Sequence, residues 1–197
     1  MPPNTLHATN HASDALIVVD VQNAFITSPN AVHGHKNLII AIEVLLGKAR
    51  SASIPIIFLQ NDGTKGALDE PFTPGWELYF TQQPQDIVMR KTKDDGFEGT
   101  QLDEVLSSAS VQVVTICGIA SEMCVAATAR AAMNRGYEVL LPHDAHATYD
   151  IPPGPGSQSV CAVAAARVAE WSLGDGVRIC ESAHEVHFKG IAADSST

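Results

Sequence analysis

A three-layer α/β/α domain, with helices on both faces of a mostly parallel sheet, is the fold class that the sequence predicts. Short apolar, β-branched runs alternate with longer stretches of helical periodicity, the signature of βα units. The runs are apolar almost without interruption, as strands covered on both faces are. A length of 197 residues suits one well-buried core and is short for two domains.

In chain order, ALIVVD (15–20) is the first expected strand, and NLIIAIEVLLGKARSAS follows as a helix with an apolar face and small polar residues at its end. PIIFLQ (55–60) and DIVMRK (86–91) are the next two strands, separated by NDGTKGALDEPFTPGWELYFTQQPQ (61–85), a segment rich in Gly, Pro and turn-forming residues. TQLDEVLSS reads as a short helix and VQVVTIC (111–117) as the fourth strand. SEMCVAATARAAMNRG reads as an Ala-rich helix closing on glycine. YEVLLP (137–142), a second irregular segment HDAHATYDIPPGPG (143–156), the helix SQSVCAVAAARVAEWSL and the strand GVRICES (176–182) complete the pattern. Residues 14–190 are expected as a single domain, with flexible tails over 1–13 and 191–197.

Apolar residues make up 45% and charged residues 17%, which suits a globular interior. The formal charge of −10 gives no general attraction to phosphate backbones or anionic lipid, so nucleic acid and membrane surfaces are excluded as expected partners. Four cysteines without a C-x-x-C pair fit free thiols in a reducing compartment. The start MPPNTLHATNHASD lacks the cationic and apolar regions of a signal peptide, and the expected location is cytoplasmic.

Long loops in compact domains are often functional, and ligands of open α/β sheets bind beyond the carboxyl ends of the strands. At those ends lie Asp20 after the first strand, Lys91 ending the third, and Cys124 at the start of the helix after the fourth. A helix start can lower a thiol's pKa, and a carboxylate beside a cation can act as the base that makes a thiol nucleophilic. Taken singly, the three also read as a turn residue, a solvated charge and a core thiol.

Three stretches together resemble the motifs of the isochorismatase-like cysteine hydrolases. They are Asp20-Val-Gln22-Asn-Ala-Phe25, then Lys91 followed six residues later by Phe97-Glu-Gly99-Thr100-Gln-Leu102, then Gly118-Ile-Ala-Ser-Glu-Met-Cys124-Val125. Gly136-Tyr137 leading to Asp144-Ala145 is similar as well, so the resemblance spans about Ala15 to Glu181. It implies a doubly wound, six-stranded sheet, an Asp20–Lys91–Cys124 triad and a homo-oligomer. It also implies a cis peptide between Ile119 and Ala120, with the backbone N–H groups of Ala120 and Cys124 forming an oxyanion hole.

A cysteine at 124 resembles the amidase branch of that family, whose substrates are small amides or carbamoyl compounds. The alternatives are enol-ether hydrolysis of the isochorismatase type, which does without the thiol, and a silent binding or scaffold member. A nucleotide binder is disfavoured, since neither G-x-G-x-x-G nor G-x-x-x-x-G-K-[ST] is present. Nicotinamidases in the branch carry a metal-binding Asp-x-His after the second strand. Here Gln60-Asn61-Asp62-Gly63-Thr64 stands at that place, so no catalytic metal and no cofactor are expected. His33-Gly-His35 and His143-Asp-Ala-His146 remain possible ligands, since imidazoles close in sequence can share an ion, but without a visible third ligand the favoured reading is exposed loop histidines. Phe25, Gln60, Trp76, Phe97 and Tyr149 are the candidates for substrate contact, each with core packing or loop support as the competing reading.

Overall fold

The computed structural model describes residues 12–27 and 29–190, so most of the two expected tails lies outside the described residues. Ser13 belongs to the packed structure, being buried and bridged to Phe188 in parallel.

The strands are β1 (Ala15–Val19), β2 (Ile56–Asn61), β3 (Ile87–Lys91), β4 (Val113–Ile119), β5 (Glu138–Pro142), β6 (His146–Ala147) and β7 (Val177–Cys180). The helices are α1 (Asn23–Ile26), α2 (His35–Ala52), α3 (Leu102–Ser108), α4 (Ala126–Asn134) and α5 (Ala162–Ser172). The sheet runs β3-β2-β1-β4-β5-β7, and every pairing in it is parallel. The six expected strands form this path. The seventh is the two-residue β6 against the end of β4, too short to show as an alternating run in the sequence.

Alternation along β1 divides the core in two. Leu16 and Val18 join Leu38, Ile42 and Leu45 of α2 on one face, whereas Ile17 and Val19 join Leu102, Leu106, Ala129 and Ala132 of α3 and α4 on the other. Ala15–Val19 is therefore buried throughout, as a central strand with both faces covered must be. Each large apolar side chain in these clusters contributes about 1.5–3 kcal/mol on full burial.

Gly118 is an interior residue of β4 and does not form the turn after it. Its φ is +127°, and a Cβ there would lie 2.0 Å from the Val19 carbonyl oxygen of the neighbouring strand. Glycine is thus required by the close approach of β1 and β4. The Ile119–Ala120 peptide that follows is cis.

From β1 the chain winds outward through β2 to β3, then returns to β4 on the other side of β1 and winds outward again. The direction reverses between β1 and β4, where crevices at the strands' carboxyl ends form.

Candidate active site

Asp20 follows β1 in a left-handed conformation, φ 51°, held by its N–H to the Leu59 carbonyl at 2.9 Å and by its own carbonyl accepting from the Gln22 N–H at 2.8 Å. Such a conformation is uncommon for a residue other than glycine and marks a locally constrained position. Lys91 ends β3 with its side chain inward, while the preceding Arg90 points outward, as strand alternation requires.

After the cis peptide, Ser121–Val125 forms a π-turn interrupted at Met123 (φ −107°, ψ −106°), and only at Ala126 does regular α-helix begin. The expected single helix from Ser121 is thus a turn plus α4, with Cys124 in the turn.

These three elements bring Asp20, Lys91 and Cys124 together. Lys91 Nζ donates to Asp20 Oδ2 at 2.7 Å and lies 3.4 Å from Cys124 Sγ. Its third contact is the Lys93 carbonyl at 3.0 Å, so the ammonium has a partner for each proton. The Lys91 side chain is fully buried and that of Asp20 nearly so. Asp20 Oδ1 is buried without a hydrogen-bond partner of good geometry. The Cys124 thiol nevertheless lies near enough to act on the Asp20 carboxyl.

Burial raises the Asp20 pKa, and the Lys91 charge only partly offsets it. Burial works against the Lys91 charge, but Asp20 and Cys124 outweigh it and hold the ammonium above its ordinary value. Burial also pushes the Cys124 thiol up, and the Asp20 carboxylate adds to this more than Lys91 subtracts. The expectation of a thiol acidified by a helix start is therefore reversed: the turn is followed by a helix but Cys124 stands beside two carboxylates, Asp20 and, with Oδ1 3.6 Å from the sulfur, Asp94.

Irregular segment 61–85 is pinned to this region. Gln22, fully buried, donates to the carbonyls of Asn61 at 3.0 Å and Trp76 at 2.9 Å and accepts from the Asn61 N–H at 2.9 Å. Gln60 also donates to the Trp76 carbonyl at 2.9 Å, which makes loop support its visible task. The Trp76 indole donates to Asp62 at 2.8 Å, and Arg90 lies over the rings of Phe72 and Trp76, 5.1 Å from each centroid. Phe25 is half-buried against the α2-side core. Tyr149 is partly exposed, with its hydroxyl on the Asn30 carbonyl at 2.9 Å. Phe97 is 6% exposed and stacks on Tyr137 within the opposite core, with Arg135 above its ring, so it is placed as a core residue.

A cavity of about 200 Å³ lies beside Lys91, between Asp62, Lys93 and Glu98. A cavity of about 700 Å³ opens at the other edge of the sheet by Asp14, Pro55 and Ile87. That edge holds the amino ends of the strands, away from Asp20, Lys91 and Cys124.

Residues 14–171 match the model of the isochorismatase domain. The chain belongs to the isochorismatase family. Two streptothricin hydrolases of Streptomyces noursei are similar to it, at 51% and 50% identity over 177 residues; the match covers 88% of this chain and 70% and 64% of theirs. A ureidoacrylate amidohydrolase RutB of Azorhizobium caulinodans is 29% identical, with 66% of this chain and 74% of that one covered. The crystal structure of an isochorismatase from Pseudomonas putida KT2440 superposes with a TM-score of 0.81 at 26% identity, covering 88% of this chain and 90% of that one. Asp144, in the similar stretch that leads from Gly136-Tyr137, accepts from the Ser182 hydroxyl at 2.9 Å and the Ala183 N–H at 2.7 Å. Its task in this isochorismatase-family member is to tie the carboxyl end of β5 to the turn after β7.

The reading of His143 and His146 as exposed loop histidines without a third partner fails at His146, which is buried, and Glu170 is the partner that the sequence distance hid. His146 and Glu170 are 5% and 3% exposed and hydrogen-bonded to each other. Glu170 had a visible signal: it falls on the face of α5 formed by Ala162, Ala165, Ala166 and Ala169, where an acid needs partners.

Proposed function

We propose that the protein is an amidohydrolase that cleaves the C–N bond of a small amide or carbamoyl compound through a thioester on Cys124. The observation that carries this reading is the buried Lys91 ammonium lying within reach of both the Asp20 carboxylate and the Cys124 sulfur. The resting thiol is protonated, so the base must be adjacent, and Asp20 is the carboxylate at hand.

In the reaction, Asp20 takes the proton from Cys124 as Sγ bonds to the carbonyl carbon. The oxyanion is held by the N–H groups of Ala120 and Cys124, donors of a kind worth about 2.7–4 kcal/mol each in the transition state. Collapse of the intermediate breaks the C–N bond, and protonated Asp20 gives its proton to the departing nitrogen. Water then attacks the thioester with Asp20 as base, releasing the acid and restoring the thiol. Throughout, Lys91 keeps Asp20 in place and stabilises whichever of the two groups is anionic. No cofactor enters this scheme.

Enol-ether hydrolysis of isochorismate is the less suitable chemistry. It leaves the thiol without a task, and carboxylates at Asp94 and Asp69, which act on Cys124 and Asp20, oppose a doubly anionic substrate. A neutral or cationic amide fits better, and streptothricin, the substrate named for the relatives at 51% and 50% identity, is the first to try. Phe25, Trp76 and Tyr149 are the side chains we assign to the cleft wall.

The test is rapid-quench mass spectrometry of the protein mixed with streptothricin and a panel of simple amides. Mass equal to the acyl fragment, mapped to Cys124, is the expected result. Hydrolysis that proceeds with acyl transfer to another residue, or with none, refutes the scheme.

A further inference from the structure

We propose that His143, His146 and Glu170 form a binding site for a divalent transition-metal ion, with Zn²⁺ the best match, distinct from the Asp20–Lys91–Cys124 group. The three residues come from two separate elements. His143–Ala145 is a 3-10 turn that runs directly into β6 at His146. The two imidazoles meet edge to face, with ring centroids 6.2 Å apart. Glu170 meets them from the buried face of α5.

Both imidazoles converge on one carboxylate oxygen. Glu170 Oε1 lies 2.5 Å from His143 Nδ1 and 3.1 Å from His146 Nε2, and the three donor atoms all fall within 4.8 Å of one another. Donors around a tetrahedral ion bound at about 2.0–2.2 Å stand about 3.4 Å apart, so shifts of less than about 1 Å would admit the ion. Two imidazoles and a carboxylate suit Zn²⁺ in preference to the oxygen-seeking Mg²⁺ and Ca²⁺.

The surroundings agree. His146 Nδ1 lies 2.8 Å from the buried Ser121 hydroxyl, the kind of second contact that orients a ligating histidine. Nε2 of the same ring faces Glu170 Oε1 at 3.1 Å. With an ion on Nε2, Nδ1 keeps its contact with the serine hydroxyl, which can donate or accept. Arg167 holds the other oxygen, Oε2, at 3.2 Å, which leaves Oε1 free as a single-oxygen ligand; Arg167 is largely exposed, so its repulsion of the ion is screened. A small cavity of about 100 Å³, lined also by His33, gives an entry path and room for a water in the fourth position. The net charge of −10 favours the approach of a cation.

The ion would tie β6 and α5 to Ser121, the first residue of the turn that carries Cys124. Its role is to brace that turn, and the reaction at Cys124 is not routed through it.

The experiment is calorimetric titration of chelator-dialysed full-length protein with Zn²⁺, alongside His143→Ala and Glu170→Gln, with thermal unfolding of each at excess Zn²⁺. One equivalent is expected to bind saturably in the wild type, at least about tenfold more weakly in either variant, and to raise the melting temperature of the wild type more than that of either variant. Saturable binding that is unchanged in His143→Ala, or no saturable binding, overturns the proposal and leaves the cluster as a hydrogen-bonded relay. His143 is half-exposed, so its variant is expected to fold, which circular dichroism checks, even if loss of the buried Glu170 carboxylate does not permit folding.

Discussion

Lys91 Nζ and Asp20 Oδ2 stand 2.7 Å apart, a buried ion pair that joins the end of β3 to the residue leaving β1 across the intervening β2. Taking one partner from such a pair leaves the other uncompensated. Its neighbours in sequence are differently employed. Arg90 is paired with Asp62 at 2.7 Å on the surface, and Lys93 contributes its backbone carbonyl, which any residue supplies.

Lys91→Ala is therefore expected to lower turnover of an amide substrate by at least about a hundredfold, the scale of losing a positioned charged partner. Arg90→Ala and Lys93→Ala should cost less than about tenfold, as exposed charges do. Steady-state rates of the three variants, with circular dichroism to confirm folding, check this.

The acid limb of the pH profile should lie above the ordinary carboxylate range. Burial raises the Asp20 pKa, so the ionised form that accepts the thiol proton appears only at correspondingly higher pH, and activity falls as pH drops through that raised value. For the same reason Cys124, held protonated, should react slowly with iodoacetamide near neutrality and faster as pH rises. The kcat/KM profile and the alkylation rate of residue 124 against pH are the two readouts.

The strand runs, the two long loops and the three-layer class were legible because apolar periodicity reports burial directly, and Asp20, Lys91 and Cys124 were legible because a parallel sheet gathers its strand ends. The thiol's ionisation was not, because it depends on Asp20 and Asp94 crowding the sulfur, which sequence distance conceals. Nor was the bracing by Gln22, which crosses to Asn61 and Trp76, or the pairing of Glu170 with two histidines more than twenty residues away. For Phe97, a candidate by its nearness to the cleft loops with core packing as the competing reading, the contacts with Tyr137 and Arg135 favour the core.

Gly118→Ala should destabilise the fold by about 3 kcal/mol or more, since its Cβ would meet Val19 backbone, which cannot swing aside as a side chain can. Chemical denaturation, or failure to recover soluble protein, measures the effect.

The remaining cysteines separate by burial. Cys117 is fully buried in β4, so Cys117→Ser should cost about 1–3 kcal/mol for an added buried hydroxyl. Cys161 is exposed at the position just before α5, outside the helix expected to contain it, and Cys161→Ser should stay within about 0.5 kcal/mol of the wild type. Turnover by both variants should match the wild type at temperatures where they are folded.

Turnover by Cys124→Ala of an amide that the wild type hydrolyses is the most direct test of the thioester scheme. Alanine suits the approach to the Ala-rich α4, so the fold should survive the change. The scheme predicts a loss of at least about 10⁴-fold in kcat, on the scale seen when a covalent nucleophile is removed, and hydrolysis at the wild-type rate would contradict it.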